Sequence, residues 1–461
     1  MSKKNNQYVI VISIDGLAQH YLENPKLQAP NLRSLIQNGA VARGLESIYP
    51  SETWAIHSSI VTGTYPSKHG VVGNWSFDRE KQEVICYAGD VHVNKEETLL
   101  QETYYDLAKK NGWTTASICW PLTKEAKSID FNIPEFYNQE LFEKFSTTSF
   151  WNELKEAGLP VDKYAIWSLD HARGHMQDWL TAEISKYLIR KHRPNLLQLH
   201  FLLPDSYQHD FGVNAEEILW SIEYVDERIG DILSTLKQEG IYDQTNIFIM
   251  SDHGHQNYIN VFNPNYIFEE KGWISESFEN SKVLHISQSG SGFIYIQEKD
   301  PVEKARLLAQ VKELLEQQES VETIFVPESF SQLGVPTLED NARLAPDLVI
   351  EAADDWKFGA HPKQIETFQG YGHSGINDTN NAQSKTIHLD NMAGTHGYLP
   401  TKDIMKAIFV ASGPAIRNGV ELPLIKAVDV APTISKLIGR ELPNADGQVI
   451  EEVYKSPVLS S

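Results

Sequence analysis

Seven side chains able to hold divalent ions or attack an electrophile stand at strand ends and tight turns of the sequence: Asp15, Thr53, Asp205, His209, Asp252, His253 and His396. Three carboxylates and three imidazoles, with no thiolate, form an oxygen/nitrogen donor set sufficient for two divalent ions, with zinc the natural candidate. Two such ions roughly 3.5–4 Å apart can clamp the attacking and leaving oxygens of an in-line displacement. One of them would also lower the pKa of the Thr53 hydroxyl, making it an alkoxide nucleophile at neutral pH. Three aspartates and one alkoxide balance two divalent cations, so the site would be neutral and open to an anionic phosphoryl group.

The elements that must position these groups follow from hydrophobic patterning. Tyr8 to Asp15 is a continuous apolar run ending in a carboxylate and followed by Gly16, the pattern of a buried parallel strand. Asn246 to Ser251 repeats it and ends in Asp252, His253 and Gly254. Ligands of open α/β sheets bind at that carboxyl edge. A third strand, Asn195 to Leu203, runs into PDSYQHDFG, where Asp205 and His209 are spaced i,i+4 and share one face if a helical turn follows. Thr53 precedes the apolar run Trp54 to Val61, which reads as a helix. A helix start favours negative charge, which suits a nucleophile that attacks an anion, although threonine there also serves as a plain N-cap.

Further helices are expected at Pro30 to Asn38, Leu99 to Asn111, Asp178 to Arg193, Asn214 to Gly240 and Val428 to Ile438, and further strands at Thr114 to Trp120 and Ala407 to Ala411. Strands separated by helical stretches predict an α/β/α sandwich with a mostly parallel central sheet. Residues 1–257 and 391–461 are expected to form the core. An aromatic-rich segment at 121–169, with Phe131, Phe136, Tyr137, Phe142, Phe150, Trp151, Tyr164 and Trp167, reads as a cap or as plain core. Residues 258–390 read as an insertion with a hairpin at SQSGSGFIYIQ, a helix from Pro301 to Gln318, a strand at Asp347 to Ala352, and a polar loop, Gly370 to Lys385, that includes His373.

The 461 residues carry a formal charge of -22, which argues against a polymeric nucleic-acid or anionic-membrane surface and leaves a small-molecule substrate as the expected partner. Two cysteines, Cys86 and Cys119, provide no disulfide framework and no Cys-based metal site. Lys3 and Lys4 precede a short apolar run, but Asp15 interrupts it and no small-residue cleavage site follows, so it reads as a strand rather than a signal peptide. No segment has the roughly 18 uninterrupted apolar residues of a membrane span. The expected location is cytoplasmic.

SIDG, YPSETWAIHSSIVTGTYPSKHGVVGN, PDSYQHDFG, SDHG and GTHGY, in this order over most of the chain, resemble the nucleotide pyrophosphatase/phosphodiesterase family of the alkaline phosphatase superfamily. The resemblance implies an alkaline-phosphatase-like core and two zinc ions, with manganese or another divalent metal as substitutes. One ion would be held by Asp15, Asp252, His253 and the Thr53 oxygen, and the other by Asp205, His209 and His396. Asn74 would donate to a non-bridging phosphate oxygen together with the Thr53 backbone N–H. Trp54 stands where the family usually carries a Phe that stacks on a base, with core packing as its alternative role. Leu399 stands where the family usually has Asp. The motifs contain no Arg to hold a monoester dianion, which favours a diester or pyrophosphate bond. The implied activity is hydrolysis of phosphodiester or phosphoanhydride bonds of a phosphate ester or nucleotide through a covalent phospho-Thr53. A phosphonate (phosphonoacetate-type) or phosphomonoester hydrolase on the same metal site is the alternative.

Overall fold

The structure, a computed structural model, describes residues 7–90, 92–168, 171–360 and 384–455. His373 and most of the Gly370 to Lys385 segment lie outside the described residues, as do Lys3, Lys4 and Leu169. Eight strands form the central sheet: β1 (Tyr8–Ile14), β2 (Gly39–Ala42), β3 (Thr115–Trp120), β4 (Phe131–Pro134), β5 (Leu196–Phe201), β6 (Thr245–Met250), β7 (Phe409–Ser412) and β8 (Val420–Leu422). Their order across the sheet is β8-β2-β7-β6-β1-β5-β3-β4. Every pairing is parallel except those of β7, which runs against both β6 and β2.

Alternation along the strands builds two cores. In β1, Val9 and Val11 enter one, whereas Ile10, Ile12 and Ile14 enter the other; β6 divides in the same way, with Phe248 and Met250 opposite Ile247 and Ile249. The first core is closed by helix α1 (Thr53–Thr62), through Ile56 and Ile60, and by Val430–Ile438, through Ile434 and Leu437. The second is closed by Pro30–Gln37, by Gly174–Lys191 and by Glu216–Gln238, whose Ile222, Val225 and Ile229 fall at helical spacing. The result is helices on both faces of a mostly parallel sheet. Of the aromatics between 121 and 169, Phe136, Phe142, Phe150, Trp151 and Tyr164 fill the second core, while Tyr137 packs on the first.

Some boundaries differ from the patterning. The helix expected from Leu99 starts at Tyr104, because Thr103 and Asp106 cap each other's backbone N–H reciprocally; a single turn at Lys95–Thr98 precedes it. β5 ends at Phe201, since the Asp178 carboxylate accepts the N–H groups of Leu202 (2.9 Å) and Leu203 (3.0 Å) and starts a helix there. Between β6 and β7 the chain adds a three-stranded sheet (Asp355–Phe358, Gln256–Phe262, Thr386–Thr395) and a four-stranded one (Val283–Gln288, Ser291–Ile296, Leu348–Ala352, Val321–Phe325). Among the described residues, no helix is long and apolar enough to cross a membrane.

Candidate active site

The carboxyl edge of the parallel strands delivers the acidic groups. Asp15 follows β1, and Gly16 turns the chain with φ +69°; a Cβ there would meet His255 Cε1 at 2.8 Å and Gln208 Nε2 at 2.9 Å. The β6 strand delivers Asp252 and His253. Asp252 Oδ1 accepts the backbone N–H of Gly16 (3.1 Å) and of His253 (2.9 Å), which ties the two strand ends together. Helix α2 (Leu203–Phe211) carries Asp205 and His209 on one face. Buried Gln208 fixes that helix to the Asp15 turn by donating to the Gly16 carbonyl at 2.8 Å and accepting from the Tyr21 hydroxyl at 2.9 Å.

Thr53 is the first residue of α1, not its cap. Glu52 holds the cap position and makes no capping hydrogen bond with its side chain, so its carboxylate does not occupy the first-turn N–H groups. The Thr53 hydroxyl instead lies 3.3 Å from His253 Nε2. The N–H of Trp54 donates to Asn74 Oδ1 at 3.0 Å, which leaves the Asn74 NH2 to donate elsewhere. Gln288 holds Asn74 from behind, accepting its backbone N–H at 3.1 Å. Trp54 itself is 3% exposed, with its indole N–H on Asp90 Oδ1 at 3.0 Å and its ring 6.4 Å from that of Tyr137. That burial favours the packing role over an open stacking surface.

The donors gather into two clusters: Asp15, Asp252 and His253, and Asp205, His209, His255 and His396. All the residues expected as ligands are in one or the other, and Thr53 joins the first. Around His253 Nε2, the oxygens of Asp15, Asp252 and Thr53 lie at 3.5, 3.5 and 3.3 Å. Donors on a tetrahedral ion with bonds of about 2.0–2.1 Å stand about 3.3 Å apart, so these separations suit a metal. Asp15 Oδ1, Asp205 Oδ1 and Asp252 Oδ2 are buried without hydrogen bonds, as free metal-facing lone pairs would be. Three of the imidazoles are held for ligation through Nε2, because Nδ1–H donates to a carbonyl: Gly394 for His209 (3.0 Å), Gly254 for His253 (3.2 Å) and Ser51 for His396 (3.1 Å).

The electrostatics ask for cations. Burial, with the charges of Asp205 and Asp252, pushes the Asp15 carboxyl well up. Burial also works against ionised Asp205, but the imidazoles of His209 and His255 hold it well down. Burial and the neighbouring imidazoles of His396 and His255 hold His253 neutral. His396 is driven the other way: burial opposes its charge, yet the Glu52 carboxylate, 3.4 Å from Nδ1, lifts it to about 9.

Several contributors escaped the sequence reading. His255 sits three residues beyond Asp252 in the same DHGH run. Glu52 directly precedes the hydroxyl. His57, one turn after Thr53, donates Nδ1–H to the Thr53 carbonyl (2.8 Å) and accepts from Ser13 Oγ (2.9 Å); burial pushes it down to about 3, so it is neutral. His200, inside β5, places Nε2 at 3.2 Å from Asp15 Oδ2. The i,i+4 spacing from Thr53 was a signal for His57; the strand interior gave none for His200.

A family model described as type I phosphodiesterase / nucleotide pyrophosphatase matches residues 9–399. The chain belongs to this family. Among curated relatives, venom phosphodiesterase 2 of Crotalus adamanteus is 25% identical over 250 residues, covering 53% of this chain and 26% of the relative. Ectonucleotide pyrophosphatase/phosphodiesterase family member 1 of Homo sapiens is 24% identical over 247 residues, covering 53% and 23%. The chain thus spans about a quarter of these relatives. Murine ectonucleotide pyrophosphatase/phosphodiesterase 5 has the same fold, with a TM-score of 0.67 at 20% identity, covering 96% of this chain and 98% of that one. An inactive Thr-to-Ala variant of that murine protein, in complex with AMP, gives 0.65 at 19% identity.

Proposed function

We propose that this phosphodiesterase-family chain hydrolyses phosphodiester or phosphoanhydride bonds with Thr53 as nucleophile and two divalent ions, zinc by preference, in the two donor clusters. The observation that carries the reading is Thr53 Oγ1 at a helix start, 3.3 Å from His253 Nε2, with four converging donors in each cluster once the hydroxyl is counted in the first. The inactive Thr-to-Ala variant reported for the murine neighbour supports it. When bound, the ions would supply Lewis acidity, lowering the hydroxyl pKa and neutralising the phosphoryl oxygens.

The chain's own groups do the rest. The His57 contact to the Thr53 carbonyl and the Asn74 contact to the Trp54 N–H fix the first turn, so that Thr53 Oγ1 is aimed before substrate arrives. The Asn74 NH2 and the Thr53 backbone N–H would hold a non-bridging oxygen, where charge grows as the new P–O bond forms. Attack of Thr53 Oγ1 on phosphorus expels the leaving alcohol or phosphate and leaves a phospho-Thr53 ester. Water then adds to that phosphorus, the P–Oγ bond breaks, and the hydroxyl regains a proton. We place substrates among small phosphate esters and nucleotides. The proposed compartment is the cytoplasm, supported by two free, buried thiols.

The test is the initial rate on bis-p-nitrophenyl phosphate beside p-nitrophenyl phosphate, with zinc supplied and again after chelation. Preferred turnover of the diester that chelation abolishes is expected. Turnover that survives chelation overturns the metal role, and preference for the monoester overturns the substrate class.

A further inference from the structure

Resting on the two-ion reading above, we propose that His255 is a fourth protein ligand at the Asp205 centre, so that three imidazoles and one carboxylate hold that ion. His255 is fully buried, and neither ring nitrogen has a hydrogen-bond partner among the described residues. A buried imidazole with both nitrogens unpaired is costly unless a ligand satisfies it. Its Nε2 points into the cluster and is the nearest of the imidazole nitrogens to Asp205 Oδ1: His255 stands at 3.0 Å, His209 at 3.4 Å and His396 at 4.0 Å. The 3.0 Å approach lacks hydrogen-bond alignment, since the same oxygen and nitrogen both remain unpaired. Three nitrogens ranged about one oxygen at these separations match the edges of a tetrahedral donor set, about 3.3 Å.

Two structural features keep His255 there. Gly16 leaves room for its ring, because a Cβ at that position would stand 2.8 Å from His255 Cε1. The His209 and His396 rings pack against it, with centroids at 4.9 and 5.3 Å. The arrangement also distinguishes the two clusters. The Asp15 cluster completes four donors only by counting the reactive hydroxyl, whereas the Asp205 cluster completes four with side chains that take no covalent part. An ion bound there would be held by four side chains, none of which reacts.

The experiment compares wild-type protein with His255→Gln after dialysis against a weak chelator, reading bound zinc per chain, and then counts exchangeable imidazole N–H signals shifted by bound cobalt(II). Melting temperature with and without metal reports folding. Wild type is expected to keep two ions. His255→Gln is expected to bind one of them at least about tenfold more weakly and to lose a single shifted signal, while the signals of His209, His253 and His396 persist. Two ions held with wild-type affinity and an unchanged set of shifted signals overturn the assignment. If His255→Gln does not fold, His255→Asn is read in its place, since either amide removes the imidazole. A wild-type protein that binds no metal refutes the two-ion reading itself, a result distinguishable from failure at His255 alone.

Discussion

Gly397→Ala probes how tightly the His396 segment and the Thr53 turn are locked together. Gly397 follows His396 with φ +88°, and its N–H donates to the Ser51 carbonyl at 2.9 Å, two residues before Thr53. The Gly290 N–H donates to the His396 carbonyl at 2.8 Å, closing the other side. A Cβ at 397 would meet Gln288 O at 1.9 Å, Gly290 N at 2.9 Å and Glu52 Oε1 at 2.9 Å. The left-handed conformation alone costs an alanine about 1–2 kcal/mol. Opening the contact with Gln288 to an ordinary separation needs a backbone shift of roughly 1.5 Å, and a misplacement of about 1 Å at reacting groups costs on the order of 100-fold in rate. The clash involves backbone on both sides, so no side-chain rotation relieves it. The expected result is a lower melting temperature together with kcat/KM on bis-p-nitrophenyl phosphate reduced about 100-fold or more, roughly 2.7 kcal/mol of transition-state stabilisation. A variant with wild-type melting and a rate within about threefold of wild type would refute the coupling between these segments.

Asn74→Ala removes both the NH2 donor and the Oδ1 acceptor of the Trp54 N–H at a partly buried position; kcat is expected to fall about 10²–10³-fold with little change in melting temperature. Steady-state kinetics beside thermal melts check this, and an unchanged kcat would contradict the oxyanion role. Burial pushes the Glu351 carboxyl up to about 8, although the Leu399 N–H and the Tyr49 hydroxyl both donate to it. A carboxyl whose folded-state pKa is raised above its ordinary value contributes stability that is fully present below that ordinary value, near 4.5, and is lost as pH rises toward 8. Denaturant midpoints measured across this window should therefore decline with pH in wild type and decline less in Glu351→Gln; parallel curves would show that Glu351 is ionised in the fold.

The chemistry was legible where it coincided with a change of pattern. Asp15 and Asp252 end apolar strands, and Asp205 and His209 share a helix face that an i,i+4 spacing reveals. His396 was placed by its GTHGY setting. Groups inside a regular element carried no such mark: His200 lies within the apolar strand Leu196–Phe201, and only the packing of β5 beside β1 brings it to Asp15. His255 follows a DHG turn that already supplies two donors, and only the fold brings α2 and its Asp205 across to it. Glu52 carries no local mark, and only the fold brings it within 3.4 Å of His396, from the far end of the chain. The reversed strand β7 was equally invisible, since strand direction depends on the chain's route through the two small sheets rather than on local composition. Trp54 shows the converse. The family resemblance left Trp54 open between base stacking and core packing, and its indole N–H on buried Asp90, with the ring in the core, favours packing.

A covalent ester on Thr53 can be trapped by quenching the reaction with bis-p-nitrophenyl phosphate in acid within the first turnover and mapping the modified peptide by mass spectrometry. A p-nitrophenyl phosphoryl adduct on Thr53 is expected, appearing with the first released p-nitrophenol and missing, along with turnover, from Thr53→Ala. Turnover by Thr53→Ala at near wild-type rate, or an adduct on another residue, would contradict it.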